Sequence, residues 1–435
     1  MILEIILSSL LLLTEDEVVK IALSKSKVLL AEREKITQRE GEEMIAISNF
    51  LPKASLNATY SFSSFTEKMT QYQIVGIDTI NWRLIYQKFD VEFGKPERKG
   101  LIFSINQTVF DFLKSFHSYK ASLNTKLSEI ESFEGKKIYL ENEIRKICTE
   151  LLFLKKQIEV LEKTKDNLEA HYKIAEKRYK EGLASELELL QAEISLKNFY
   201  PQIEILKLSV QKLKDILKNL AGIEEEIELK DTLYFEKFDV TVDTLYEKAL
   251  SERKDILSLK FSMEALKEVI EVQKGLNKPN IFFSYQYQYS KPYGFFKDEW
   301  GGYYTLVFGL SWNIFDGFST YGNVKKSMAN YEYLKKKFKF IEENIKSEIK
   351  NNIEALKTNE RIVETQRENI KIAEKALRVA KVQYENGWIS HIEYMDAELS
   401  ALNTKLNFLK AIKDYKISKL NLIKTLKGAI EIGGF

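Results

Sequence analysis

The sequence is written twice, and that duplication limits what the chain can fold into more than any single motif does. Ala22 and Leu23 recur as Ala249 and Leu250, and Pro52 as Pro279, at an offset of 227 residues. LIFSINQTVFD (101–111) recurs as LVFGLSWNIFD (306–316), and AEKRYKEGLASELELLQAEIS (175–195) as AKVQYENGWISHIEYMDAELS (380–400), at an offset of 205. The register changes once, by 22 residues, between Pro52 and Leu101. The chain therefore divides into a first repeat at 14–222, a linker at 223–240 and a second repeat at 241–435. The first copy carries its extra residues in one loop, about Thr66 to Lys99, which is expected to face outward and either to cover a pore mouth or to be a tolerated insertion.

Four segments flanking that change alternate apolar and polar residues with the period of a strand whose two faces meet different surroundings. They lie at about 53–66, 100–111, 280–290 and 303–315. Leu56, Ala58, Tyr60 and Phe62 alternate with Asn57, Thr59 and Ser61, and Phe283, Tyr285, Tyr287 and Tyr289 with Ser284, Gln286 and Gln288. Their central stretches lack charge in a chain that is 30% Asp, Glu, Lys and Arg. Aromatic-rich apolar faces backed by Ser, Asn, Gln and Thr are the pattern of transmembrane barrel strands, with lipid on one side and water on the other. A soluble sandwich with an apolar inner face is the other reading. Four strands do not close a barrel, which needs about eight, so a membrane barrel would be built by several chains together.

The remainder reads as long helices. Ile144, Ile147, Leu151, Leu154, Ile158 and Leu161 step by threes and fours, and the seam continues through Leu168, Tyr172, Ala175 and Tyr179. A helix from about Asp111 to Glu181 would extend roughly 100 Å. Its partner runs from about Ser185 to Leu220, with Pro201 expected to kink or interrupt it, and the second copy repeats the pair at about 321–386 and 390–427. Gly182 and Gly387 mark the reversals at 182–185 and 387–390, because glycine reaches the left-handed C-cap without a Cβ clash. Ser185 with Glu188, and Ser390 with Glu393, have the spacing of capping boxes.

Composition narrows the function. With 66 basic and 64 acidic residues the net charge is +2, which gives no sign of nucleic-acid binding. The single cysteine, Cys148, forms no intramolecular disulfide. His117, His171 and His391 lie far apart without metal-ligand spacing, and no phosphate loop or nucleophile elbow appears, so the sequence reads as neither an enzyme nor a cofactor-binding protein. Residues 1–13 are apolar, too short to span a bilayer, and suggest the core of a signal peptide, but Glu4 and the lack of Lys or Arg depart from the standard form.

The order helix, strand, loop, strand, very long helix, glycine turn, long helix, twice over, resembles the TolC family of outer-membrane efflux and secretion channels. The resemblance covers about Leu13 to Gly428. It is carried by TEDEVVKIAL (14–23), by LYEKALSERKDI (245–256) with Arg253 and Asp255, by NIFDG (313–317), and by the turns following Tyr179 and Tyr384. It implies a mainly α protein with a β-barrel part: a homotrimer whose 12-stranded outer-membrane barrel continues as an α-helical tunnel through the periplasm. Such a trimer would pass substrate from an inner-membrane pump, with a periplasmic adaptor opening it and outer-membrane lipid around its barrel. Tyr384 matches the tyrosine of the family's closed gate, Glu188 its acidic partner, and Glu393 and Asp396 the acidic rings at the constriction. The gate arginine's position holds Ile389, and Glu replaces Asp at the upper acidic positions, so an arginine–aspartate lock is not implied.

Glu393 and Asp396, three apart, share a helix face. Threefold symmetry would gather six carboxylates into a ring that favours cations; two solvated helix acids are the alternative. Gly182, Leu183, Ser185, Gly387, Trp388 and Ser390 are the expected adaptor-contacting tips, since a Trp at a polar turn is costly to leave bare, although Trp388 could instead pack between hairpins. The rival class is a soluble or periplasmic coiled-coil tether, which would leave the uncharged strands without a purpose.

Overall fold

The computed structural model describes residues 11–427 apart from 65–66, 94, 239–244 and 294–296. The described residues of Met1–Gln38, Leu127–Phe261 and Leu334–Phe435 form one compact unit, and those of Arg39–Lys126 and Ser262–Tyr333 a second. Residues 1–10 of the expected signal segment lie outside the described residues, as do 428–435 at the end of the second repeat.

The second unit is organised by strands β2 (Lys53–Phe62), β5 (Glu97–Phe110), β7 (Asn280–Lys291) and β8 (Gly301–Ser311), an antiparallel sheet in the order β2-β5-β7-β8. Because directly paired residues share a face, the register divides the sheet cleanly. Leu56, Phe103, Tyr287 and Tyr304 form one row, and Tyr285–Leu306 and Phe283–Phe308 extend the same face. Asn57, Ile102, Gln288 and Tyr303 form a row on the other. Its polar groups bond across strands: Ser284 donates to Asn106 at 2.8 Å and Tyr303 to Gln288 at 2.9 Å. On the apolar face Leu56, Tyr60, Phe62, Tyr304, Leu306, Phe308 and Leu310 are exposed. Neither edge, β2 or β8, is paired among the described residues.

The extra loop of the first repeat proves to be a β-hairpin, β3 (Glu67–Asp78) with β4 (Arg83–Phe93). The sequence reads as a loop here because Lys68, Arg83, Lys88 and Asp90 break the uncharged pattern that marks the sheet strands, although Tyr72 and Phe89 each sit between polar neighbours. Asp78 closes its turn, accepting from the backbone N–H of Ile80 at 2.9 Å and from Asn81 Nδ2 at 2.8 Å.

A duplicated Phe-Asp ends both strand pairs. Asp111 accepts from the Ser115 N–H at 2.9 Å, and Asp316 from the Thr320 N–H at 2.8 Å. The carboxylates thereby cap the exposed amides of α3 (Lys114–Lys180) and α8 (Ser319–Glu385), each 67 residues long. Just before these helices Phe112, Leu113 and Phe318 hold positive φ. β8 stops at Ser311, so Asn313 to Gly317 are turn and cap rather than the strand expected to about 315.

In the first unit α1 (Glu15–Lys25) opens with a complete capping box on Thr14 and Glu17. α2 (Lys27–Ile47), α6 (Leu245–Glu252) and α7 (Lys254–Lys274) precede the sheet strands in their respective repeats. Leu11–Leu13, at the end of the expected signal segment, form β1, parallel to β6 (Ile227–Leu229) in the linker. The second helix of the first repeat is broken: α4 (Glu186–Lys197) and α5 (Phe199–Ala221) meet at Asn198. Pro201 falls in the first turn of α5, where its missing N–H leaves no bond unmade. Its counterpart α9 (His391–Leu426) runs unbroken.

The core of this unit buries Val18, Ala22, Ile144, Leu151, Leu217, Ile256, Ile345 and Leu422. The α3 seam is buried at Ile144, Leu151, Leu154, Leu161, Leu168 and Ala175, but Tyr179 is exposed, so the stripe ends one turn early. Arg145 joins Glu15, Asp16 and Glu141, while Arg253 pairs with Asp255 at 2.7 Å and Glu348 at 3.0 Å, which gives the two motif acids and bases a structural use. Cys148 is free and buried, and burial pushes its thiol pKa up. Among the described residues no helix is long and apolar enough to cross a membrane.

Candidate functional site at the helical hairpin ends

The two hairpins turn by the same chemistry. Gly182 and Gly387 adopt φ of 72° and 74°, a conformation that a Cβ would strain. The Leu183 and Trp388 N–H groups reach back to the carbonyls of Arg178 and Gln383, each at 2.8 Å. Ser185 and Ser390 then cap α4 and α9 through the N–H groups of Glu188 and Glu393, at 3.2 and 3.3 Å. Leu183 and Trp388 stand exposed, Trp388 by 74%.

From there the repeats diverge. Glu393 completes its capping box, accepting from the Ser390 N–H at 2.7 Å and hydroxyl at 2.8 Å, and those two donors hold its carboxyl below the usual range. Glu188 instead accepts the hydroxyl of Tyr384 at 2.6 Å, a contact from α8 to α4 that joins the second hairpin to the first. Tyr384 is 4% exposed, whereas Tyr179, its counterpart, is 42% exposed. Burial first, and then the Glu188 charge, push the Tyr384 phenol pKa up. Two of the expected residues are thus brought together. Glu393 and Asp396 are exposed on α9 and join neither Tyr384 nor Glu188.

Around this bond lies a cluster that sequence reasoning missed. Arg178 sits over the Tyr384 ring, 5.4 Å from its centroid, a cation–π contact. His171 of α3 stacks on Tyr394 of α9 at 4.9 Å and 9°, and its ring centroid lies 5.0 Å from that of Tyr384. Buried Glu398 accepts from Asn167 at 3.3 Å and Tyr394 at 3.4 Å. His171 and His391 are distant in sequence, yet their rings are 4.9 Å apart. The available signals were weak: His171 falls beside the α3 seam, and His391 directly follows the Ser390 cap. His117 lies elsewhere, paired with Glu268. No group of three or more His, Cys, Asp or Glu set to hold a metal occurs among the described residues.

A family model described as outer membrane efflux protein matches residues 18–222 and 245–427, the two repeats and nearly all of the chain. The chain belongs to the outer membrane efflux protein family. As a member of that family it is an outer-membrane efflux channel protein that extends into the periplasm. Solved structures agree in fold. CusC superposes with a TM-score of 0.79 at 14% identity, covering 95% of this chain and 92% of that one. The Campylobacter jejuni CmeC outer membrane channel gives 0.77 at 17% identity, covering 97% and 87%. VceC from Vibrio cholerae gives 0.76 at 17%, covering 95% and 96%. A comparison with curated proteins finds no sequence match.

Membership in the outer membrane efflux protein family accounts for the exposed apolar sheet face as a lipid-facing surface. In this chain the guanidinium over the Tyr384 ring comes from Arg178, six residues before Ala184, the counterpart of Ile389 at the 205-residue offset.

Proposed function

We propose that the chain is one of three identical subunits of a passive exit duct, serving a tripartite efflux pump or a type I secretion system and opened by a periplasmic adaptor. The observation that carries this reading is the sheet: four antiparallel strands with an exposed apolar face, an uncharged middle and two edges unpaired among the described residues. β8 runs antiparallel to β2, so β8 of one copy can pair with β2 of the next in the same antiparallel sense. Three copies give 12 strands, which closes the ring and removes the edges.

The hairpin ends supply the gate. The Tyr384–Glu188 bond links the two hairpins of one subunit, Glu393 and Asp396 present carboxylates that three copies would arrange as rings, and the exposed tips at Gly182, Leu183, Ser185, Gly387, Trp388 and Ser390 offer a surface for the adaptor. The duct reading assigns the protein no chemistry of its own and requires no cofactor. A coiled-coil tether would leave the apolar sheet face facing water.

Light scattering on detergent-extracted protein, corrected for bound detergent, tests this directly. A particle near three times 50.8 kDa that conducts ions in planar bilayers is the expected result. A monomer or dimer soluble without detergent would sink it.

A further inference from the structure

The duct reading leaves His171 and His391 without a role, although both are buried in the hairpin cluster. Both are more than nine-tenths buried, and His171 Nε2 and both ring nitrogens of His391 have no hydrogen-bond partner among the described residues. His171 stacks on Tyr394 and lies tilted against Tyr384, and His391 meets the Tyr384 ring edge-on, so both contribute aromatic surface. A phenyl ring would do the same without leaving polar nitrogens unsatisfied in the interior. What imidazole adds is the capacity to take up a proton near neutral pH.

The surroundings are mixed in charge. α3 contributes Arg178, and α4 contributes Glu188. α8 contributes Glu374, Arg378, Lys381 and Glu385, which line the adjoining groove of about 450 Å³. α9 contributes Glu398, already engaged by Asn167 and Tyr394. No carboxylate bonds to either imidazole among the described residues, so a second charge on the pair, whose ring centroids are 4.9 Å apart, would meet the first at close range.

We propose that His171 and His391 form a proton-operated latch, holding the two hairpins together while neutral and releasing the Tyr384–Glu188 contact when an acidified periplasm charges them. The inference rests on the reading of these hairpins as a gate. The direction follows from linkage. Burial first, and then the neighbouring His391, hold His171 down to about 4, and burial likewise lowers His391. Once the seam opens to water, each ring returns to about 6.5. Proton uptake therefore favours the open arrangement. The latch is at full strength above pH ~6.5 and weakens down to pH ~4. At pH 5 one imidazole with these two values favours opening about 30-fold.

Spin labels at Leu187→Cys on α4 and Val382→Cys on α8 report the separation, since both positions are exposed and Cys148 is buried. The labelled full-length chain is diluted with excess unlabelled chain in detergent, and the distance is followed from pH 7.5 to 5. The expected result is one short distance at pH 7.5 and a longer population at pH 5, absent in His171→Phe/His391→Phe. A distance that ignores pH in the native-histidine chain, which needs no histidine variant to fold, overturns the latch. So does an equal response in the double variant. Planar-bilayer current separates the two readings: movement without current at any pH would condemn the duct and keep the latch, and current without movement would do the reverse.

Discussion

Glu188 and Glu393 occupy the same place in the two repeats, follow the same Ser cap, and end with different partners. The sequence shows their equivalence but not their divergence, because the second partner of Glu188 comes from Tyr384, 196 residues away. The spacing alone predicts two capping boxes, and only one is complete. Removing the phenol should therefore cost little in folding and much in gating. In Tyr384→Phe, Glu188 is free to turn back to its own helix N-terminus, which offsets part of the lost charge-assisted bond, worth about 1.5–3 kcal/mol in isolation. A net loss of about 1 kcal/mol would raise the open probability at neutral pH about fivefold in single-channel recordings. Tyr179→Phe, at the exposed counterpart, should leave it unchanged. The histidine cluster was illegible for the same reason as the tyrosine bond: His171 and His391 are 220 positions apart, and no local spacing announces that they meet.

Elements with a strong local signal were the legible ones. Heptad spacing and a lack of proline gave helices that match α3 and α8 to within a few residues, and the glycine turns with their serine caps fell where the spacing put them. Pro201 sits in the first turn of α5, just past the break at Asn198, where its missing N–H leaves no bond unmade. The hairpin β3–β4 was not legible, because its charged strands lack the bias that lipid contact imposes on the others. That bias yields an element-scale prediction. Leu306 and Thr305 are neighbours on β8 with opposite faces, paired with Tyr285 and Gln286. Leu306→Lys puts a cation into lipid at a cost of about 2–4 kcal/mol near mid-bilayer, so the assembled form should dissociate at lower temperature on unheated detergent gels. Thr305→Lys, on the water-lined face, should melt with the unsubstituted protein and shift ion selectivity away from cations.

At the scale of the whole molecule, the decisive feature is that the chain's four-stranded sheet leaves both edges, β2 and β8, unpaired among the described residues. An edge strand that is long, uncharged and aromatic is a template for further pairing, and most proteins blunt such edges with charge or proline. β2 and β8 carry charge only at Lys53 among their paired residues, and no proline. The arrangement is tolerable in a membrane protein only if each edge finds the other, since unpaired backbone groups in hydrocarbon cost several kcal/mol apiece. In the proposed duct the contact would be heterologous, β8 of one subunit to β2 of the next, so the number of copies would be set by where the curvature closes rather than by a self-complementary patch. A photoreactive benzophenone side chain at Phe308 on β8, long enough to reach its neighbour whatever the stagger, should yield cross-linked dimers and trimers and nothing larger, with the joined peptide falling within 53–62. The same probe at Phe103 or Tyr287, flanked on both sides by strands of its own chain, should give intrachain products alone. A ladder continuing beyond three from Phe308 would mean that the edges propagate instead of closing, and an intrachain-only result there would mean that β8 and β2 do not meet between copies.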